Sequence, residues 1–190
     1  MKPAYKGLLL TAALMLAACG GGAGTTASTA PVASVDCDPN DPATYEECGT
    51  VLIGFTDADG DFLNYTVDVL SLELQTANGR VVETLPRTTR INFTDYVDLT
   101  ELVSAAVIPP GTYVKGTIRI DYTDAEIFVE ANGESKEAVV KDDQNNVLTQ
   151  TQLTIRLSNR EQLRISKGKA ALLQLDFDLD ASHTVDIVPT

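Results

Sequence analysis

From Ala171 to Leu179 every second residue is apolar. Ala171, Leu173, Leu175, Phe177 and Leu179 share one face, and Leu172, Gln174, Asp176, Asp178 and Asp180 share the other. A repeat of two puts alternate side chains on opposite faces of an extended strand, so this stretch cannot bury its apolar set as a helix. Two more runs obey the same period: Leu153, Ile155 and Leu157 alternate with Thr154 and Arg156, and Leu163 and Ile165 alternate with Gln162 and Arg164. Upstream, Val114, Ile118, Ile120 and Tyr122 are expected to face inward and Lys115, Thr117, Arg119 and Asp121 outward, with Ala125, Ile127 and Val129 in a second short strand.

Punctuation between these runs supports the same class. Asn78-Gly79 and Asn132-Gly133 are two-residue hairpin signals, and Ser158-Asn159 marks a third turn. Val51 to Thr56 is a compact apolar run and reads as a buried strand. In Asn64 to Thr76 the apolar phase slips from Tyr65, Val67 and Val69 to Leu70, Leu72 and Leu74. A slip of one residue implies a β-bulge or a crossing between sheets. One helix is expected near 99–106, where Asp98 and Glu101 resemble a capping box and Leu99, Leu102, Val103 and Ala106 fall on one helical face before Pro109-Pro110. Eight or nine short strands with turns about every ten residues make an all-β protein, a two-sheet antiparallel β-sandwich.

The first 36 residues are of another kind. Lys2 and Lys6 precede an apolar run, Leu8 to Leu16, too short to span a bilayer as a helix, so residues 1–18 read as a secretory signal. It ends in Leu16-Ala17-Ala18-Cys19, the order of a bacterial lipobox, in which the cysteine is lipidated and begins the mature chain. Residues 19–36, rich in Gly, Thr, Ser and Ala, have the composition of a flexible tether, and 37–190 remain as a single domain. Cys19 is therefore the expected membrane attachment. Gly20 rather than Asp after it favours the outer membrane of the cell envelope.

Losing Lys2 and Lys6 with the signal leaves 12 basic against 27 acidic residues, a formal charge of −15. Such a chain is a poor ligand for nucleic acid or for an anionic lipid surface. With Cys19 assigned to lipid, Cys37 and Cys48 remain as one pair, expected to be a disulfide in an oxidising compartment.

Reactive groupings are few. Asp57, Asp59 and Asp61 have the spacing of the first three ligands of a calcium loop, but Phe62 stands where an EF-hand needs glycine and Asp68 where it needs glutamate. A solvated turn is the leading account and calcium the alternative. Asp176, Asp178 and Asp180 step along one strand face too widely for neighbours to grip one cation, so they read as a solvated outer face. A hydrolase built on a carboxylate pair would need two of these six acids to converge. His183 is the sole histidine, and a base–nucleophile pair would draw on Ser182 or Ser166; an exposed polar residue is the expectation. Tyr45, Tyr65, Tyr96, Tyr113 and Tyr122 would form a glycan platform only if several shared a surface. No catalytic residue is assigned. The expectation is a non-enzymatic module with an unidentified protein or glycan partner, no nucleic acid and no cofactor beyond possible calcium.

Five stretches in order, Gly54-Phe55-Thr56-Asp57-Ala58, Val67 to Glu73 with its following Asn-Gly turn, Val97-Asp98-Leu99, Ile108-Pro109-Pro110-Gly111-Thr112-Tyr113 and Leu175-Asp176-Phe177-Asp178, resemble a bacterial lipoprotein domain family of unknown function, family 4382. The resemblance covers Gly49 to Val185 and implies a prealbumin-like, Ig-like sandwich. The family has no assigned catalytic residue, so it implies no functional position here.

Overall fold

The computed structural model describes residues 36–38, 40–57, 61–96, 100–157, 162–179 and 183–185. Cys19, Asp59, Asp180 and Ser182 lie outside the described residues. Among the described residues, ten strands form two sheets: β1 (Gly49–Thr56), β2 (Phe62–Thr76), β3 (Val81–Glu83), β4 (Thr89–Asn92), β5 (Glu101–Ile108), β6 (Gly111–Ala131), β7 (Glu134–Glu137), β8 (Gln150–Arg156), β9 (Leu163–Ile165) and β10 (Ala170–Asp176). The smaller sheet has the order β10-β1-β5. In the larger one β2 and β6 run side by side, with β3 and β4 along the free side of β2 and β7, β8 and β9 along that of β6.

The all-β sandwich stands. All strand pairs are antiparallel except β1 with β10, which run parallel from Thr50↔Ala170 to Thr56↔Asp176. The core lies between the inward faces. Val51, Ile53 and Phe55 of β1 with Leu173 and Leu175 of β10 meet Tyr65, Val67, Val69, Leu72 and Leu74 of β2 and Tyr113, Ile118, Ile120 and Ile127 of β6. The slip within β2 is a bulge: its pairing with β6 shifts between Val69 and Ser71, so Tyr65, Val67, Val69 and then Leu72 and Leu74 all point inward. Asn132 and Gly133 both take positive φ, 59° and 77°, which a two-residue hairpin of the right twist requires.

The helix expected near 99–106 does not form; Glu101–Ile108 is β5. Its apolar residues at spacings of three and four fit a helix locally, but the open side of β1 offers eight residues a ladder, from Gly49↔Ile108 to Phe55↔Glu101, and β-branched Val103, Val107 and Ile108 suit it. A register shift opposite Ile53/Gly54 produces the broken alternation that resembled helical spacing. Gly54 is needed there, because a Cβ would lie 2.6 Å from Thr100 Cγ2. The helical residues lie elsewhere: α1 (Pro42–Tyr45) is started by Asp41, whose side chain accepts the Ala43 N–H at 3.0 Å, and a 3-10 turn covers Phe93–Tyr96.

Two further expectations change. Thr112–Tyr122 and Ala125–Val129 are one strand, β6, of 21 residues, which is the longest strand; Tyr113 rather than Val114 faces the core at its start, because β6 is bulged against β2 at Gln75/Thr76. Leu153 is 39% exposed although its partner Ile118 is fully buried. The three-stranded sheet is too narrow to cover β8.

Candidate functional site

β1 ties together two ends of the sandwich. At its start, Cys48 is disulfide-bonded to Cys37 with Cα atoms 6.0 Å apart, as the cysteine count predicted. The Cys48 carbonyl accepts the Gly168 N–H at 2.7 Å, joining this end to the turn before β10. A Cβ on Gly49 would lie 2.5 Å from the Ser166 carbonyl oxygen, so only glycine lets the two segments approach. Such a loop closure contributes about 3 kcal/mol at most.

At its other end β1 runs into Asp57, which is only 5% exposed. The reading of Asp57 as part of a solvated turn is overturned. Its Oδ1 accepts the backbone N–H of Leu179 at 2.9 Å, a bond in a buried setting. The Leu179 carbonyl in turn faces His183 Nδ1 at 3.0 Å, and His183 Nε2 lies 2.9 Å from the Tyr65 hydroxyl. The Tyr122 hydroxyl, 3.3 Å from that of Tyr65, completes the row. His183 is thus half-buried and bonded on both ring nitrogens, not the exposed residue its sequence position suggested.

The proton positions follow from the partners. A carbonyl can only accept, so Nδ1 carries the proton; in the neutral ring Nε2 is then an acceptor and the Tyr65 hydroxyl donates to it. Burial, with smaller contributions from Tyr122 and from the Asp57 charge, pushes the Tyr65 phenol far above its ordinary range. Burial also raises Tyr122. Tyr65 therefore stays protonated and serves as a donor.

Aromatic rings surround this row. His183 packs edge to face on Phe62 and Tyr65, at 5.4 and 5.2 Å between ring centres. Phe93, on the 3-10 turn, lies 4.3 Å from Phe177, 5.7 Å from Phe55 and 6.2 Å from Tyr65. The amides of two asparagines brace this end as well: Asn92 Oδ1 accepts the Tyr65 N–H at 3.0 Å, and Asn64 Nδ2 donates to the Glu126 carbonyl at 2.9 Å.

The structure brings some sequence candidates together and separates others. Asp57 and His183 meet on either side of Leu179, which spacing in the chain could not reveal. Asp61 is exposed, and among the described residues no group of three His, Cys, Asp or Glu is arranged to hold a metal ion. Asp176 faces outward as expected, but the strand ends there. Asp178 is half-buried at a backbone turn with φ +37°, because Phe177 donates the last ladder bond to Thr56 and Asp57 then captures Leu179. Ser166 belongs to the Gly49 end, the length of β1 away from His183. The tyrosines share no platform: Tyr65 and Tyr113 are buried, Tyr96 and Tyr122 half-buried, and Tyr45 exposed near the disulfide. Phe93 was missed from sequence, and Tyr65 and Tyr122, weighed there only for a glycan platform, are instead the hydroxyls in line with His183. The signal for Phe93 was an aromatic directly after a strand, which Asn92 and Asp95 fold into a turn through a 3.0 Å bond.

Chemically, this row fastens and does not present. The basic nitrogen of His183 is occupied by a phenol that is itself buried. The geometry therefore holds the segment after β10 across the end of the sandwich.

The fold and this closed end define a two-sheet β-sandwich domain. Residues 48–186 match the family model described as a domain of unknown function (DUF4382), nearly three quarters of the chain, and the protein belongs to that family. No curated protein matches the chain.

Proposed function

We propose that this chain is a non-enzymatic lipoprotein of the bacterial cell envelope, attached to the outer membrane by lipid on Cys19, whose β-sandwich offers a binding or structural surface to a protein or glycan partner. The observation that carries the reading is the sequence Leu16-Ala17-Ala18-Cys19 after a short apolar run with two lysines before it. Two acyl attachments hold a protein stably where one is marginal, and a Gly- and Ser-containing tether leaves the domain room to meet a partner. The Cys37–Cys48 disulfide fits an oxidising compartment. A histidine bonded on both ring nitrogens favours contact over turnover. Mass spectrometry of the N-terminal peptide from the membrane fraction tests the reading. A lipid-modified Cys19 as first residue is expected, and Cys19→Ala should release the protein from the membrane. An unmodified mature N-terminus in the medium would refute it.

A further inference from the structure

Asparagine followed by glycine is the pair that most readily loses its side-chain amide without an enzyme, because glycine has no side chain to keep its backbone nitrogen from the preceding Cγ. The chain contains the same tripeptide twice, Ala77-Asn78-Gly79 and Ala131-Asn132-Gly133, and a third exposed asparagine turn at Asn145-Asn146. Composition alone ranks the two Asn-Gly pairs equally. Their hydrogen bonds do not.

In the loop after β2 the nitrogen that would attack is tied down. The Gly79 N–H donates to the Thr76 carbonyl at 2.9 Å, and the Asn78 Oδ1 accepts the Thr76 hydroxyl. The Thr76 N–H closes the loop on the Arg80 carbonyl at 2.9 Å, Gln75 Nε2 donates to the Gly79 carbonyl at 3.2 Å, and Arg80 reaches Asp36 at 3.1 Å. Asn145 is held in the same way: the Asn146 N–H donates to Asp142 Oδ1 at 2.9 Å, and Asn145 Oδ1 accepts Lys141 Nζ at 3.0 Å. An N–H bonded to an acceptor keeps its proton and is aimed away from the neighbouring Cγ. The tip between β6 and β7 is different. Among the described residues no group accepts the Gly133 N–H and none bonds the Asn132 side chain. Both residues are exposed, and all four residues of β7 are exposed, so this end of the hairpin opens without uncovering core from β7.

We propose that Asn132 is a site of spontaneous modification in the folded domain, converting to aspartate and isoaspartate while the turns at Asn78 and Asn145 hold those residues back. The Gly133 nitrogen gives its proton to hydroxide or water and attacks Asn132 Cγ. The new N–Cγ bond closes a succinimide ring as the Cγ–Nδ2 bond breaks, and the amide leaves as ammonia, taking a proton from solvent. Water then opens the ring. Addition at Cγ breaks the new bond and leaves aspartate; addition at the main-chain carbonyl of residue 132 leaves isoaspartate, in which the backbone runs through Cγ. Water is consumed and ammonia released, with no oxidation or reduction. The tip gains a negative charge beside Glu130 and Glu134. Asp-Gly still suits a two-residue hairpin, whereas isoaspartate lengthens the backbone by one atom and disrupts the turn that starts β7.

Peptide mapping by mass spectrometry tests this on the full chain, held at mildly alkaline pH and sampled over weeks, with a parallel sample unfolded in guanidinium chloride. Each site is read by the mass gain of an amide-to-acid change and by the separation of the two products. In the folded protein Asn132 should convert at least roughly tenfold faster than Asn78, since the bonds of the Asn78 loop must open before its glycine nitrogen is free. In denaturant the two identical tripeptides should convert at nearly equal rates. An Asn132 that stays unchanged in the folded chain, an Asn78 that converts as fast there, or a difference of the same size in denaturant would each overturn the proposal.

Discussion

The two ends of β1 are closed by different chemistry. The Gly49 end is held by a covalent link and a close approach: the disulfide fixes Cys48, its carbonyl takes the Gly168 N–H, and the missing side chain of Gly49 lets the Ser166 backbone come near. The Asp57 end has no covalent link. It is held by one buried carboxylate, one imidazole, two phenols and a group of rings packed mostly edge to face. A disulfide acts chiefly on the unfolded chain by shortening a loop, whereas the polar and aromatic end gains its strength only once the sandwich is packed. The Asp57 end carries the more strongly raised phenol: Tyr65 lies far above the ordinary range, whereas Tyr113, beside the Gly49 end, is pushed up to about 12.

The comparison can be broken most forcefully at Phe93. Fully buried and in ring contact with Phe55, Tyr65, Tyr96 and Phe177, it should cost about 3–5 kcal/mol when truncated in Phe93→Ala, measured by urea unfolding. Cys37→Ser comes next. Opening an 11-residue separation should cost about 2–3 kcal/mol, and reducing the wild-type protein should lower the urea midpoint equally, whereas the Phe93 variant should respond to the reductant as wild type does. Asp57→Ala leaves the Leu179 N–H without its acceptor, at a cost of about 1–3 kcal/mol with the Gly49 end unchanged, read by hydrogen exchange at each end.

The smallest effect is read in alkaline solution. Tyr65 in the folded protein holds its proton far above the ordinary phenol value of about 10, so its contribution is complete below that pH and is lost as pH rises beyond it. Tyr113, pushed up to about 12 by burial and donating to the Pro109 carbonyl at 2.8 Å, acts in the same direction. Tyr65→Phe should cost about 1 kcal/mol at neutral pH, and its melting temperature should fall less steeply than the wild type's above pH 10. An identical alkaline slope in both proteins would separate Tyr65 from this behaviour.

The same contrast explains what the sequence disclosed. Alternation in Ala171–Leu175, the phase slip at Val69–Leu72 and the two-residue Asn132-Gly133 turn are local and survive in the structure, whereas the loop at Asn78-Gly79 spans three residues, the Thr76 N–H donating to the Arg80 carbonyl, with positive φ at Gly79 and not at Asn78. The two cysteines could be paired because no others remained once Cys19 was assigned. The segment 99–106 misled because its spacing suited a helix equally well, and the empty side of β1 decided the matter at long range. The Asp57 end was illegible for a related reason. Asp57 and Leu179 are separated by 122 residues and Tyr65 and His183 by 118, so Asp57 and His183 each looked like a surface residue with nothing nearby to oppose that view.

The account rests on the polar groups of this domain being closed into its structure and unavailable to a substrate. Because His183 is the only histidine in the chain, its imidazole nitrogens can be observed without ambiguity by nitrogen-15 magnetic resonance at mildly alkaline pH. The expected result is a single tautomer with the proton on Nδ1, slow to exchange with water, and Nε2 shifted by its hydrogen bond from Tyr65, the shift disappearing in Tyr65→Phe. A proton on Nε2 exchanging as fast as in free imidazole, with no response to Tyr65→Phe, would contradict it.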